Sequence, residues 1–122
     1  MQILKPALRG AINKIKSEIK SGISRLYITD NNKLYIVLRR ENLELVAVAV
    51  AGRGIRESRD EIINFAINNQ FKTIRFHTKH PERLEKGLQG LPIELIEVRK
   101  ALLSRDELVY RLNVNGAYHG WA

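Results

Sequence analysis

Cysteine is absent from this 122-residue sequence, which excludes disulfides, thiolate nucleophiles and cysteine-ligated zinc or iron–sulfur centres. Long apolar runs are missing as well. The longest, Leu45 to Ala51, is far too short to cross a bilayer. The opening residues Met1-Gln2-Ile3-Leu4-Lys5-Pro6 lack a basic segment followed by a long apolar one, so no secretory leader is expected. There are only three prolines, and no stretch rich in Pro, Gly or Ser divides the chain. With no repeat and no low-complexity tract either, one domain with short turns is expected. Together these absences predict a cytoplasmic protein that makes no contact with a membrane.

What the sequence has in excess is positive charge. Lys and Arg number 21 against 13 acidic residues, for a formal charge of +8. A field of that sign favours phosphates, nucleic acid or acidic surfaces. The cations are spread along the whole chain, in no run longer than a pair such as Arg39-Arg40. A dispersed excess is more often a solubility feature than a binding patch, and no aromatic platform or recognition helix supports nucleic-acid binding.

Apolar spacing divides the chain into elements. Leu8, Ile12, Ile15 and Ile19 form one stripe, predicting a helix from Pro6 to Ser21 closed by Gly22. Three strands follow: Arg25–Thr29, an alternating segment from Leu34 to Arg39, and Glu44–Ala51. The turn Asp30-Asn31-Asn32-Lys33 joins the first two. The third strand is apolar at both parities, with Leu45, Ala47 and Ala49 on one face and Val46, Val48 and Val50 on the other. That pattern predicts a central strand covered on both sides. Ser58-Arg59-Asp60-Glu61 reads as a capping box opening a helix at Ser58. Next come a strand at Thr73–His77, a short helix opened by Pro81, and a hairpin of Ile93–Arg99 with Glu107–Val114. The helix between the third and fourth strands predicts a right-handed crossover and a parallel pair. The fold class expected is α/β (α+β): one mixed, mostly antiparallel sheet with a parallel central pair and about three helices. Residues 1–114 would form the domain, and 115–122 an aromatic tail.

The Gly52-Arg53-Gly54 loop directly after the central strand, within this order of elements, resembles the GNAT-like N-acetyltransferases. In that family a Gln/Arg-x-x-Gly-x-Gly/Ala loop holds the pyrophosphate of acetyl-CoA. The resemblance therefore implies acetyl-CoA or CoA as ligand, with Val50, Gly52, Arg53, Gly54, Arg56 and Arg59 as cofactor-binding residues. Glycines let a backbone approach phosphate oxygens, and a helix N-terminus adds favourable partial charge. Ala49 stands at the Gln/Arg position. Three features depart from the family pattern. The predicted helix start at Ser58 lengthens the loop by Ile55-Arg56-Glu57. The stretch Pro81–Leu91 has no Tyr, the residue the family uses to protonate the leaving thiolate, and no Cys or Ser in its place. The amino-terminal region is short, with one helix where the family has two. Small, trimmed proteins of this kind resemble GNAT-like proteins of bacteriophages, some associated with virions, which would place the chain in a host cytoplasm or virion.

Several residues invite a chemical role. Arg53, Arg56, Arg59 and Lys79 are expected to converge at one end of the sheet, although Glu57, Asp60 and Glu61 could neutralise the three arginines. His77 is the candidate general base towards an amine, its ordinary pKa lying near neutrality; its plain alternative is a polar residue at a strand end. No third and fourth ligand accompanies His77 and His80, so no metal site is expected. Tyr118 and Trp121 could anchor a protein partner or a second copy, or fold back on the sheet. The sequence favours a non-catalytic GNAT-like protein acting through protein partners in assembly or regulation. The alternatives are an acetyl-CoA-dependent N-acyltransferase and a nucleic-acid-associated protein.

Overall fold

A computed structural model describes residues 22–114. The predicted helix over Pro6–Ser21 and the tail with Tyr118 and Trp121 lie outside the described residues. Six strands and two helices follow in order: β1 (Arg25–Ile28), β2 (Leu34–Glu41), β3 (Glu44–Gly52), α1 (Ile55–Asn68), β4 (Thr73–Thr78), α2 (Pro81–Gly87), β5 (Ile93–Arg99) and β6 (Glu107–Asn113). They form a single sheet in the order β1-β2-β3-β4-β6-β5. Only the central β3–β4 pair is parallel, as the intervening helix requires.

Turn chemistry sets the connections. Asn32 and Asn42 take left-handed φ of 59° and 56°, closing the β1–β2 and β2–β3 hairpins. α1 ends at Asn69, whose side-chain amide donates to the Phe65 carbonyl at 2.8 Å, and Gln70 then turns the chain with φ 65°.

Both helices lie against one face of the sheet. Leu34, Ile36 and Leu38 of β2, Leu45 and Ala47 of β3, and Ile74 and Phe76 of β4 supply its apolar side. From above, Ile62, Ile63, Phe65 and Ala66 of α1 meet them, with Leu84 and Leu88 from α2 and its exit. Each of the larger side chains contributes about 1.5–3 kcal/mol by leaving water. Tyr27 ties β1 to α1 twice. Its ring stacks at a tilt on Phe65, 5.3 Å between centroids, and its hydroxyl donates to Glu61 Oε2 at 2.5 Å.

Two expectations are corrected here. First, α1 begins at Ile55, three residues before Ser58, because Gly54 takes φ 81° and ψ 42° and turns the chain directly into the helix. Ser58 is a buried residue inside the first turns, its amide already donating to the Gly54 carbonyl at 3.0 Å. The two members of the expected capping box have other partners: Asn31 Nδ2 donates to the Ser58 hydroxyl, and Glu61 serves Tyr27 and the Asp30 amide. Second, β3 does not keep one alternation. Val37 pairs with Ala49 and Leu38 with Ala47, which leaves Val48 as an extra, bulged residue. Beyond the bulge the faces shift: Val50 packs on the core, whereas Ala49 and Ala51 are exposed. β3 is therefore covered on both sides only over its first half.

The opposite face of the sheet is a ladder of charge. Glu44 accepts from Arg75 at 3.0 Å, from Arg111 at 2.5 Å and from Thr73 at 2.9 Å. Glu41 bridges Arg75 and Arg39. Burial alone would push the Glu44 carboxyl up, but the Arg111 and Thr73 hydrogen bonds and the two guanidinium charges outweigh it and hold the group below the ordinary range.

Candidate functional site

The parallel pairing is short. Glu44 pairs with Thr73, Leu45 with Ile74, Val46 with Arg75 and Ala47 with Phe76, and there it stops. The bulge at Val48 bends β3 away at that point, so β3 runs on to Gly52 along β2 alone. β4 meanwhile continues to Thr78 along β6. The two strands part at their carboxyl ends, the place where α/β sheets receive ligands.

At the end of β3 the glycine loop is built by two different constraints. Gly52 has φ 104°, and a β-carbon there would lie 2.1 Å from the Lys33 carbonyl oxygen, so only glycine fits. That same carbonyl accepts the Arg53 amide at 2.8 Å. The Arg53 amide is therefore engaged, and what Arg53 offers a ligand is its guanidinium. Gly54 starts α1 without any side-chain cap. Among the described residues, the amides of Ile55, Arg56 and Glu57 have no hydrogen-bond partner. Such orphan donors at a helix start seek an anion.

These amides open on a surface cavity of about 660 Å³ between the glycine loop and α2. Arg53 and Arg56 line it from the loop side, Arg83 and Lys86 from α2, and Glu57 is the one carboxylate. A smaller hollow of about 540 Å³ shares Gly52, Arg53, Gly54 and Glu57 and adds Lys33. α2 is held close to α1 by Gly87, where a β-carbon would sit 2.5 Å from Ile55 Cγ2.

The sequence candidates distribute unevenly around this cavity. Gly52, Arg53, Gly54 and Arg56 line it. Val50, paired with Ile36, packs on the core. Arg59 turns to the far end of α2, where its guanidinium donates to the carbonyls of Gln89 at 2.7 Å and Gly87 at 3.4 Å. Lys79 reaches Ser104 in the β5–β6 connection instead of joining the arginines. The expected neutralisation by Glu57, Asp60 and Glu61 does not occur, because none of the three forms an ion pair with Arg53, Arg56 or Arg59. Arg83 and Lys86, which sequence reading missed, take the place expected for Arg59 and Lys79. Their spacing of three on a helix, with Leu84 and Leu88 turned inwards, was the available signal.

His77 lies on the charged face, nearly buried, with both ring nitrogens engaged. Nε2 accepts from Arg75 Nε at 3.1 Å, and Nδ1 lies 3.0 Å from Glu107 Oε1. Because an arginine can only donate, Nε2 carries no proton and Nδ1–H donates to Glu107. His80 occupies the N-cap position of α2 without a side-chain cap; its carbonyl accepts the Arg83 and Leu84 amides. Tyr110 on β6 donates to Glu85 Oε2 at 2.8 Å, and burial together with that carboxylate pushes its pKa up to about 12. Glu85 lies on the side of α2 away from Arg83 and Lys86, so this contact fastens α2 to the sheet. No group of His, Asp and Glu among the described residues is arranged to hold a metal ion. No described helix is long and apolar enough to cross a membrane.

No family model and no curated protein sequence matches the chain. Among solved structures it is similar to the ribosomal-protein-S18-alanine N-acetyltransferase from Escherichia coli, with a TM-score of 0.56 and 9% identity. The match covers 78% of this chain and 72% of that one. With its mixed six-stranded sheet, short parallel pair and glycine loop at the helix start, the chain has a GNAT-like acetyltransferase fold.

Proposed function

We propose that this chain binds CoA or acetyl-CoA at the glycine loop and serves as a ligand-binding GNAT-like module, not as a transferase with His77 as its base. The observation that carries the first half is the set of unpartnered amides at Ile55, Arg56 and Glu57, opening on a cavity rimmed by Arg53, Arg56, Arg83 and Lys86. Residues and ligand fit. Backbone donors with the Arg53 and Arg56 guanidinium groups beside them suit a pyrophosphate, and the gap where β3 leaves β4 gives an extended arm somewhere to lie. Acetyl-CoA supplies an activated acyl thioester when bound. In this chain Gly54–Glu57 would hold the diphosphate through their amides, with Arg53 and Arg56 alongside.

The second half rests on His77. To accept a proton from an amine, its Nε2 would have to give up the Arg75 hydrogen bond, and Arg75 is itself anchored by Glu41 and Glu44. The helix after β4 carries no tyrosine, and Tyr110 is committed to Glu85. The partner-docking role expected of Tyr118 and Trp121 remains part of this proposal.

Isothermal titration of the folded full chain with CoA and acetyl-CoA tests the binding. One-site binding in the micromolar range is expected, and absence of heat at high micromolar ligand would end the CoA reading. Thiol release from acetyl-CoA in the presence of peptide and small amines tests the rest. Turnover that disappears in His77→Gln would overturn the non-catalytic reading.

A further inference from the structure

We infer that the cavity at the glycine loop contains a second anion subsite on its α2 wall, formed by Arg83 and Lys86, which takes a phosphate monoester carried by the same ligand as the diphosphate. This inference rests on the ligand reading above and adds to it a selectivity that the loop amides alone would not give.

Among the described residues, six Lys and Arg side chains form neither an ion pair nor a side-chain hydrogen bond: Lys33, Arg53, Arg56, Lys72, Arg83 and Lys86. All but Lys72 border the loop cavity or the hollow beside it. Elsewhere among the described residues every cation except Lys72 has a carboxylate, carbonyl or hydroxyl partner. Here five cations surround the single carboxylate of Glu57. Unmatched charge gathered in a concavity is where the field of a basic protein is concentrated.

Within that set, Arg83 and Lys86 form a separate group. Three residues apart, they share one face of α2, across the cavity from the free amides of α1. The acidic residues of the same helix are engaged elsewhere. Glu82 takes both terminal nitrogens of Arg105, at 3.2 Å and 3.1 Å, and Glu85 takes the Tyr110 hydroxyl. α2 is therefore held with its carboxylates on β6 and the β5–β6 connection, while its unpartnered cations line the cavity. Gly87 against Ile55 and Arg59 on the Gln89 carbonyl fix that wall in place. A cavity of about 660 Å³ is larger than one diphosphate needs, and its two anion-seeking walls are built on different elements. A ligand bearing a diphosphate and a separate phosphate monoester satisfies both. CoA has this composition, and dephospho-CoA lacks the monoester.

Titration of CoA and dephospho-CoA against the wild-type chain and the Arg83→Gln/Lys86→Gln double variant tests the subsite. Both substituted side chains are exposed, and a thermal melt confirms that the variant is folded. The wild type is expected to bind CoA about tenfold more tightly than dephospho-CoA, the effect of roughly one charge-assisted contact. The variant should bind both at the wild-type dephospho-CoA level. Equal wild-type affinity for the two ligands would overturn the subsite and leave the diphosphate reading standing. A variant that weakens both ligands equally would also overturn it, by showing a general role for these cations. A wild type that binds neither ligand would sink the subsite together with the reading beneath it.

Discussion

Gly87 shows how a single missing side chain shapes this molecule. Its φ lies outside the left-handed range, so backbone freedom is not what it supplies; space is. A β-carbon there would meet Ile55 Cβ at 2.6 Å and Cγ2 at 2.5 Å, and a β-branched side chain at a helix start has little room to yield. Gly87→Ala should therefore destabilise the fold by about 1–3 kcal/mol through overpacking. Ile55→Ala removes the obstacle, so the double variant should be less destabilised than the sum of the two singles by about 1 kcal/mol or more. Urea unfolding of the four proteins checks this, and strict additivity would show that the two residues do not limit each other. Gly52 is a different case. There the clash would be with the Lys33 carbonyl, a backbone atom fixed by the β2–β3 pairing.

At the scale of elements, the charged face of the sheet has its own consequence. Glu44, nearly buried on β3, joins β4 through Arg75 and Thr73, and β6 through Arg111. Its folded pKa lies below the ordinary 4.5, so its contribution is complete above that value and is lost as pH falls through the lowered one. Glu44→Gln should cost about 2 kcal/mol at neutral pH, typical of a lost charged hydrogen-bond set. The difference between wild type and variant should shrink steadily on acidification below the carboxylate range. Denaturation midpoints across that range measure it, and a gap independent of pH would assign the effect to packing. The same strands show what the sequence could and could not disclose. Alternation in Leu34–Leu38, the apolar run of β3 and the linking helix sufficed for strand order through β4 and for the parallel pair. The bulge at Val48 was hidden because Ala47-Val48-Ala49-Val50 is apolar at either parity, so a one-residue slip leaves no mark in the pattern. The start of α1 was misread for another reason. Ser58-x-x-Glu61 fits a capping box, yet the left-handed turn at Gly54 reaches helical geometry first, and tertiary partners on β1 and its turn then claim both side chains. Gly52, Arg53, Gly54 and Arg56 were legible as a site from position alone. Arg83 and Lys86 needed the packing of α2 on α1 to bring them there.

For the molecule as a whole, the excess of positive charge among the described residues acquires a location. Most described cations are paired, and all of the unpaired remainder except Lys72 collects at one end of the sheet, so dispersion along the sequence becomes concentration in space. The way the sheet is assembled adds to this. β1, β2 and β3 form one antiparallel group and β4, β6 and β5 another, each drawn from an unbroken stretch of chain. Among the described residues, four residue pairs, the Lys72 amide on the Leu43 carbonyl and the helix that crosses over join them through the backbone. The loop amides belong to the first group and the α2 wall to the second. A ligand seated between them would act as a splint across the joint between the two groups. Occupancy and resistance to unfolding should then rise together, by about 2.7 kcal/mol at a hundredfold excess of CoA over its dissociation constant. A melting curve that ignores saturating CoA would mean that the folded chain does not hold CoA at all.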